Sequence, residues 1–226
     1  MIEMVNLFDK MPFRAYSLAA VLIALFTWTF AWQPLWLTLV VASLMLLVTL
    51  RALAGRSEQF SSRWLVTLFC GLYAPLGLLL FYEIRLMGGE SAGLLLIFTL
   101  ILMIWGNDMF AYFGGRSFGK HPMAPRISPN KTWEGFASGF AGALTGFLIV
   151  YLSAEDYPVS VAAGMPMVLL VSLFGPAGDL IGSRLKRLAG VKDSSHLLPG
   201  HGGFLDRFDA LIFAAPVVYI YLRWVL

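Results

Sequence analysis

The stretch Ser183–Asp209 reads SRLKRLAGVKDSSHLLPGHGGFLDRFD. It holds five of the sixteen Lys and Arg residues of the chain: Arg184, Lys186, Arg187, Lys192 and Arg207. It also holds Asp193, Asp206 and Asp209, two of the three histidines, and the turn Pro199-Gly200-His201-Gly202-Gly203. The chain is apolar on both sides, over Val161–Ile181 before it and Phe208–Leu226 after it. A bilayer core takes about 20 mostly apolar residues per helix. Both flanks therefore read as membrane spans, with the polar stretch joining them at the membrane surface. Mixed charge and glycine gathered in one such connection point to a charged ligand.

Composition sets the same frame. The 226 residues are 59% hydrophobic and 13% charged, with mean hydropathy +0.78. Soluble domains carry about 25% charge. The chain reads as an all-α, polytopic integral membrane bundle and as a single membrane domain over residues 1–226. A net charge of +3 is too small to argue for a nucleic-acid partner. A single cysteine, Cys70, excludes an intramolecular disulfide and a cysteine metal cluster. No small-residue cleavage site follows the first apolar run, so that run reads as a retained span.

About seven spans are predicted: Tyr16–Trp32, Leu35–Leu53, Trp64–Tyr82, Ala92–Phe113, Gly135–Leu152, Val161–Ile181 and Phe208–Leu226. With the N-terminus inside, every Lys and Arg except Arg85 and Arg223 falls on the cytoplasmic side. That asymmetry predicts N-in topology. It puts Ser183–Asp209 and the Arg116–Lys131 loop on one side, where nucleotides are. In the fifth span Gly135, Gly139, Gly142 and Gly146 recur three or four apart, a face that lets helix backbones approach closely. The plain reading is packing within the bundle. The sixth span ends in Phe174-Gly175-Pro176-Ala177-Gly178-Asp179, where Pro176 and two glycines predict a broken helix.

Four acids sit where apolar runs meet these polar segments: Asp108, Asp179, Asp206 and Asp209. A carboxylate in such a place is costly unless it is paired or bound to metal. Hard oxygen ligands suit Mg²⁺, which usually takes one or two carboxylates plus substrate phosphates. Lys186, Arg187 and Lys192 in one segment, and Arg116, Lys120, Arg126 and Lys131 in the other, supply phosphate-binding cations. Plain positive-inside topology accounts for several of them. The turn at Gly200–Gly203 lets backbone amides approach an anion. His201 reads equally as a phosphate donor or as a turn residue. No zinc spacing and no P-loop is present.

Two segments carry a resemblance. The first runs from Ser183 through Lys192-Asp193 to Pro199-Gly-His-Gly-Gly-Phe-Leu-Asp206-Arg207-Phe-Asp209. The second comprises Asp108, Ala111-Tyr112-Phe113, Gly115-Arg116, Phe118-Gly119-Lys120 and Ser128-Pro129-Asn130-Lys131-Thr132-Trp133-Glu134-Gly135. With Gly178-Asp179-Leu180, they are similar to the signature of the phosphatidate cytidylyltransferase (CDP-diacylglycerol synthase) family. The resemblance covers about half the chain and makes residues 101–226 the catalytic region. Residues 1–100 carry no motif of that family.

The resemblance implies an all-helical membrane enzyme, usually dimeric, in the bacterial cytoplasmic membrane. It would join CTP to phosphatidic acid with Mg²⁺, giving CDP-diacylglycerol and pyrophosphate for phospholipid synthesis. Asp179, Asp206 and Asp209 would form the metal–phosphate centre, with Lys186 beside them. Lys131, Arg187, Lys192 and Arg207 would hold phosphates, and His201, Gly202 and Gly203 would shape the turn. Asp108, Arg116 and Ser128 are further substrate-binding candidates. One departure stands out: the family reads Gly-Asp-Leu-x-Glu-Ser, and this chain has Gly182 in place of the glutamate. Three other readings stay open. They are a cytidylyltransferase for another phosphorylated lipid, a silent lipid-binding or scaffold homologue, and an ion pathway.

Overall fold

The computed structural model describes residues 1–11, 15–32, 60–197 and 202–226. The elements in chain order are α1 (Ile2–Asp9), α2 (Ser17–Trp32), α3 (Phe60–Arg85), α4 (Glu90–Phe118), β1 (Pro122–Ala124), β2 (Ser128–Thr132), α5 (Trp133–Ser153), α6 (Val161–Leu188) and α7 (Leu205–Val225). Among the described residues, five helices are long and apolar enough to cross a membrane: α3 from Arg63 onward, and α4 to α7. The protein is thus a helical membrane protein. The first predicted span forms the shorter α2, of 16 residues. The predicted span Leu35–Leu53 lies outside the described residues.

The helices divide between two compact units, the first Met1–Leu79 with Leu185–Arg207, the second Leu80–Arg184 with Phe208–Leu226. In the first unit α1 buries Met4, Val5, Leu7 and Phe8. Phe8 meets Phe69 edge-on at 6.1 Å between ring centroids. A Cβ at Gly71 would lie 2.8 Å from Cβ of Ile23, so glycine there lets α3 run close against α2.

In the second unit the core is built from Leu96, Leu100 and Met103 of α4, Phe147 of α5, Val171 of α6 and Val218 of α7. The glycine face of α5 lies against α4. A Cβ at Gly135 would lie 2.6 Å from the Ala111 carbonyl oxygen, and one at Gly146 would lie 2.7 Å from the Met103 nitrogen. These backbones touch because nothing separates them, as the spacing of small residues predicts. Leu94, Phe98 and Trp105 of α4 are exposed, as suits a face turned to lipid.

Three expectations are corrected. Helix α6 is continuous from Val161 to Leu188 through both Pro166 and Pro176, so the predicted break at Pro176 does not occur. A proline deletes one intrahelical hydrogen bond, and packing around it can hold the helix through the gap. The polar stretch also begins inside this helix: Ser183, Arg184, Lys186 and Arg187 are helical. It leaves the helix in a Schellman closure, Val191 N–H to the Lys186 carbonyl and Gly190 N–H to the Arg187 carbonyl, with Gly190 at φ 70°. Finally, the Arg116–Lys131 segment is not all loop. Arg116 ends α4, and β1 pairs antiparallel with β2, Pro122 opposite Thr132 and Ala124 opposite Ser128.

Candidate active site

In the second unit α4, the hairpin, α5 and α6 line a cavity of about 750 Å³. Its position follows from local chemistry. Thr132 caps α5 by accepting a hydrogen bond from Gly135 N–H at 3.1 Å. Glu134, in the first turn of α5, accepts from the Lys120 and His121 amides at 3.1 and 3.2 Å and pairs with His121 Nδ1 at 2.6 Å. These contacts fasten the end of the α4 segment to the start of α5. Strand β2 is thereby held so that Asn130, Lys131 and Thr132 face the cavity.

Charge is paired across this cavity. Lys131 Nζ lies 2.5 Å from Asp179 Oδ2, while Ser183 Oγ donates to Asp179 Oδ1 at 3.2 Å. Asp108 and Arg116, both on α4, also line the wall, and Arg116 Nη1 donates to the Tyr112 hydroxyl at 3.2 Å. Asn107 had no signal in the sequence beyond its place beside Asp108. It lines the cavity, is 2% exposed, and neither end of its amide has a partner among the described residues. Ser128 sits in β2, opposite Ala124.

Asp209 is buried in the second unit at the start of α7, where Oδ1 accepts from the Ala210 amide at 2.8 Å. It does not line the cavity. It lies beside Gly182: a Cβ there would be 3.2 Å from Asp209 Oδ2. The residue in which this chain departs from the resemblance is therefore the one that lets α6 come close to this carboxylate.

Asp206 and Lys186 belong to the first unit. They form an ion pair, Nζ to Oδ1 at 2.6 Å, with the Lys186 side chain 12% and the Asp206 side chain 9% exposed. Asp206 Oδ2 takes three further donors: the Ser194 amide at 2.8 Å, the Gly203 amide at 2.8 Å and Ser194 Oγ at 3.0 Å. Gly202 has φ 79°, and a Cβ on it would sit 2.9 Å from Asp206 Oδ2. This explains one signature glycine by the carboxylate folded over it. Arg187 Nη1 reaches the Val191 carbonyl at 3.4 Å. Lys192 and Arg207 are exposed. His201 lies outside the described residues.

Glu3 of α1 is the residue that the motifs did not reveal. Its two oxygens accept from Ser195 Oγ at 2.6 Å, Leu205 N–H at 2.7 Å, Phe204 N–H at 2.9 Å and Ser194 Oγ at 3.0 Å. Burial works against ionising Glu3, but these donors outweigh it and hold the carboxyl below its ordinary value. Hydrogen bonds to a charged group contribute about 1.5–3 kcal/mol each.

Asp206 belongs to the first unit and Asp179 and Asp209 to the second, and among the described residues no three His, Cys, Asp or Glu side chains gather as a metal site. What the second unit does bring together is Asp108, Asp179, Lys131 and Arg116 around one cavity.

Comparison with known proteins agrees with the motifs. Residues 1–225 match the Cytidylyltransferase family. The phosphatidate cytidylyltransferase of Bacillus subtilis is 41% identical over 180 residues, covering 80% of this chain and 65% of that protein. That of Staphylococcus aureus (strain COL) is 43% identical over 151 residues, covering 66% and 55%. That of Brucella melitensis is 45% identical over 137 residues, covering 60% and 50%. The chain thus spans between half and two thirds of the length of these relatives. With the whole of its length but the last residue matched, the chain belongs to the cytidylyltransferase family.

Proposed function

We propose that this chain is a CTP:phosphatidate cytidylyltransferase of phospholipid synthesis. A lipid phosphate oxygen attacks the α-phosphorus of CTP, the α–β anhydride bond breaks, and pyrophosphate leaves with the electron pair. The observation that carries this reading is the Lys131–Asp179 pair on the wall of a cavity that Asp108 and Arg116 also line. Phosphoryl transfer asks little covalent chemistry of a protein; positioning and charge neutralisation do most of the work. Lys131 and Arg116 serve phosphate oxygens in the cavity. In the polar stretch Lys186, Arg187, Lys192 and Arg207 are further cations for phosphate. The names of the relatives support CTP and phosphatidic acid as the two substrates.

The donor set fits Mg²⁺. Asp108 and Asp179 offer hard oxygens on one wall, and Mg²⁺ usually completes its shell with phosphate and water. The ion would supply charge neutralisation at the phosphates. Asp206, saturated by Lys186, Ser194 and Gly203, is better suited to ordering the polar stretch. The wider frame of the proposal is seven spans with the N-terminus inside, a bacterial cytoplasmic membrane, a site facing the cytoplasm, and a homodimer.

The test is direct. Purified protein is given labelled CTP, phosphatidic acid and Mg²⁺, and CDP-diacylglycerol is measured against an Asp179→Asn variant. Product that vanishes in the variant supports the reading. No product from any phosphorylated lipid, with the lipid still bound, favours the silent homologue, for which Gly182 is the specific observation.

A further inference from the structure

We propose that Glu3 is a positioning residue for Lys186: helix α1 latches the polar stretch and thereby sets the Asp206–Lys186 pair. The inference rests on the transferase reading for its consequence in turnover, but its structural core does not.

The latch has a defined construction within the first unit. Helix α1 is held by its apolar face, with Met4 and Leu7 at 0% and 1% exposure. That anchoring gives Glu3 a fixed base. From it, both carboxylate oxygens reach the polar stretch at two places, Ser194-Ser195 before the turn and Phe204-Leu205 after it. Glu3 therefore ties the two ends of the turn together. Asp206 does the same from the other side, through Ser194 and Gly203. The Ser194 hydroxyl lies 3.0 Å from Glu3 Oε2 and 3.0 Å from Asp206 Oδ2. It has a single proton, so the two carboxylates share one donor.

The glycines of the turn answer to this arrangement. A Cβ on Gly203 would lie 2.8 Å from Glu3 Oε2 and would overlap Ser194 Oγ. Only a bare backbone fits between Glu3 and Asp206. The turn glycine and a glutamate some two hundred residues away form one packing unit, which neither shows alone.

Side-chain volume cannot replace this role. Two of the four donors are backbone amides that need acceptors, and a glutamine keeps the shape of Glu3 but has only one oxygen and adds an amide that accepts nothing. Misplacing a reacting group by about 1 Å costs on the order of 10²-fold in rate. Partial loosening through a neighbour should cost about tenfold.

The experiment uses the full chain in detergent or vesicles, with Glu3→Gln and Glu3→Asp. Turnover of CTP with phosphatidic acid is split into kcat and KM, melting is recorded, and amide exchange at Gly203, Phe204 and Leu205 is followed. The expected result, read well below the lowered melting temperature of the variant, is a kcat about tenfold lower in Glu3→Gln, faster exchange at the three amides, and partial recovery in Glu3→Asp. Wild-type kcat in Glu3→Gln, or a rate loss no larger than the fraction of variant unfolded at the assay temperature, overturns the positioning role. Unchanged amide exchange in Glu3→Gln overturns the latch itself. Faster exchange in a protein whose wild type makes no CDP-lipid supports the latch and sinks the transferase reading instead.

Discussion

Lys131 on strand β2 and Asp179 on helix α6 face each other across the cavity wall, Nζ to Oδ2 at 2.5 Å. The two residues come from separate motifs, and each neutralises the other in the absence of substrate. Substrate phosphates would compete for Lys131, and a cation would compete for Asp179. Lys131→Met and Asp179→Asn should each lower kcat/KM about 10²-fold or more, the range seen when one preorganised charge contact is removed. Steady-state kinetics with CTP varied at saturating lipid checks this. Either variant within twofold of wild type would remove the pair from the site.

The contact between α4 and α5 predicts stability. Gly146 has no room for a side chain, since its Cβ would press on the Leu102 carbonyl and the Met103 amide. Both are backbone and cannot swing away. Gly146→Ala should destabilise the protein by about 1–3 kcal/mol, as overpacking does. Thermal unfolding in detergent, followed by circular dichroism, measures it. An unchanged midpoint would mean that the helices separate at little cost.

Gly182 predicts a metal-dependent phenotype. A side chain there starts 3.2 Å from Asp209 Oδ2. Gly182→Glu would add a second carboxylate beside a buried one, and like charges so close cannot both ionise freely. The variant should melt lower than wild type without divalent cations and recover in millimolar Mg²⁺. Melting curves with EDTA and with Mg²⁺ decide it. A deficit that Mg²⁺ leaves untouched would show that the two carboxylates do not share an ion.

Glu3 predicts an acid-side loss of order. Its carboxyl titrates below the ordinary value of 4.5 because Ser195, Leu205, Phe204 and Ser194 outweigh the cost of burial. A depressed folded-state pKa stabilises above the unfolded value and is lost as pH falls through the folded one. The stabilisation is therefore complete above about pH 4.5 and fades below it. Stability measured from pH 6 down to pH 3 should fall more steeply in wild type than in Glu3→Gln. Parallel curves would contradict the depressed pKa.

Much of this was legible in the sequence, and the exceptions have physical causes. Apolar length marked the five long helices, because a bilayer sets a minimum that any crossing helix must meet. The glycine periodicity of α5 marked its contact with α4, since small residues are what backbone contact requires. Asp108 and Asp179 were marked as acids where apolar runs meet polar segments, and Lys131 as a cation of the Arg116–Lys131 segment. The helicity of Ser183–Leu188 was not legible, because charge hid the continuation of α6 past the apolar limit. Pro176 misled, since a proline reports a missing hydrogen bond and not how the surroundings tolerate it. Glu3 was invisible because its role lies wholly in who meets it. A lone glutamate in a short N-terminal helix has no spacing to read.

The partners of Glu3, at Ser194, Ser195, Phe204 and Leu205, lie far along the chain. In synthesis, Ser194 is made 191 residues after Glu3. At about 5–20 residues per second, α1 waits roughly 10–40 seconds for them. Through that interval Glu3 lacks all four of its donors. The polar stretch closes onto a helix made long before it. Order in this site thus arrives late, and a chain cut short of Ser194 would have α1 but nothing for Glu3 to hold.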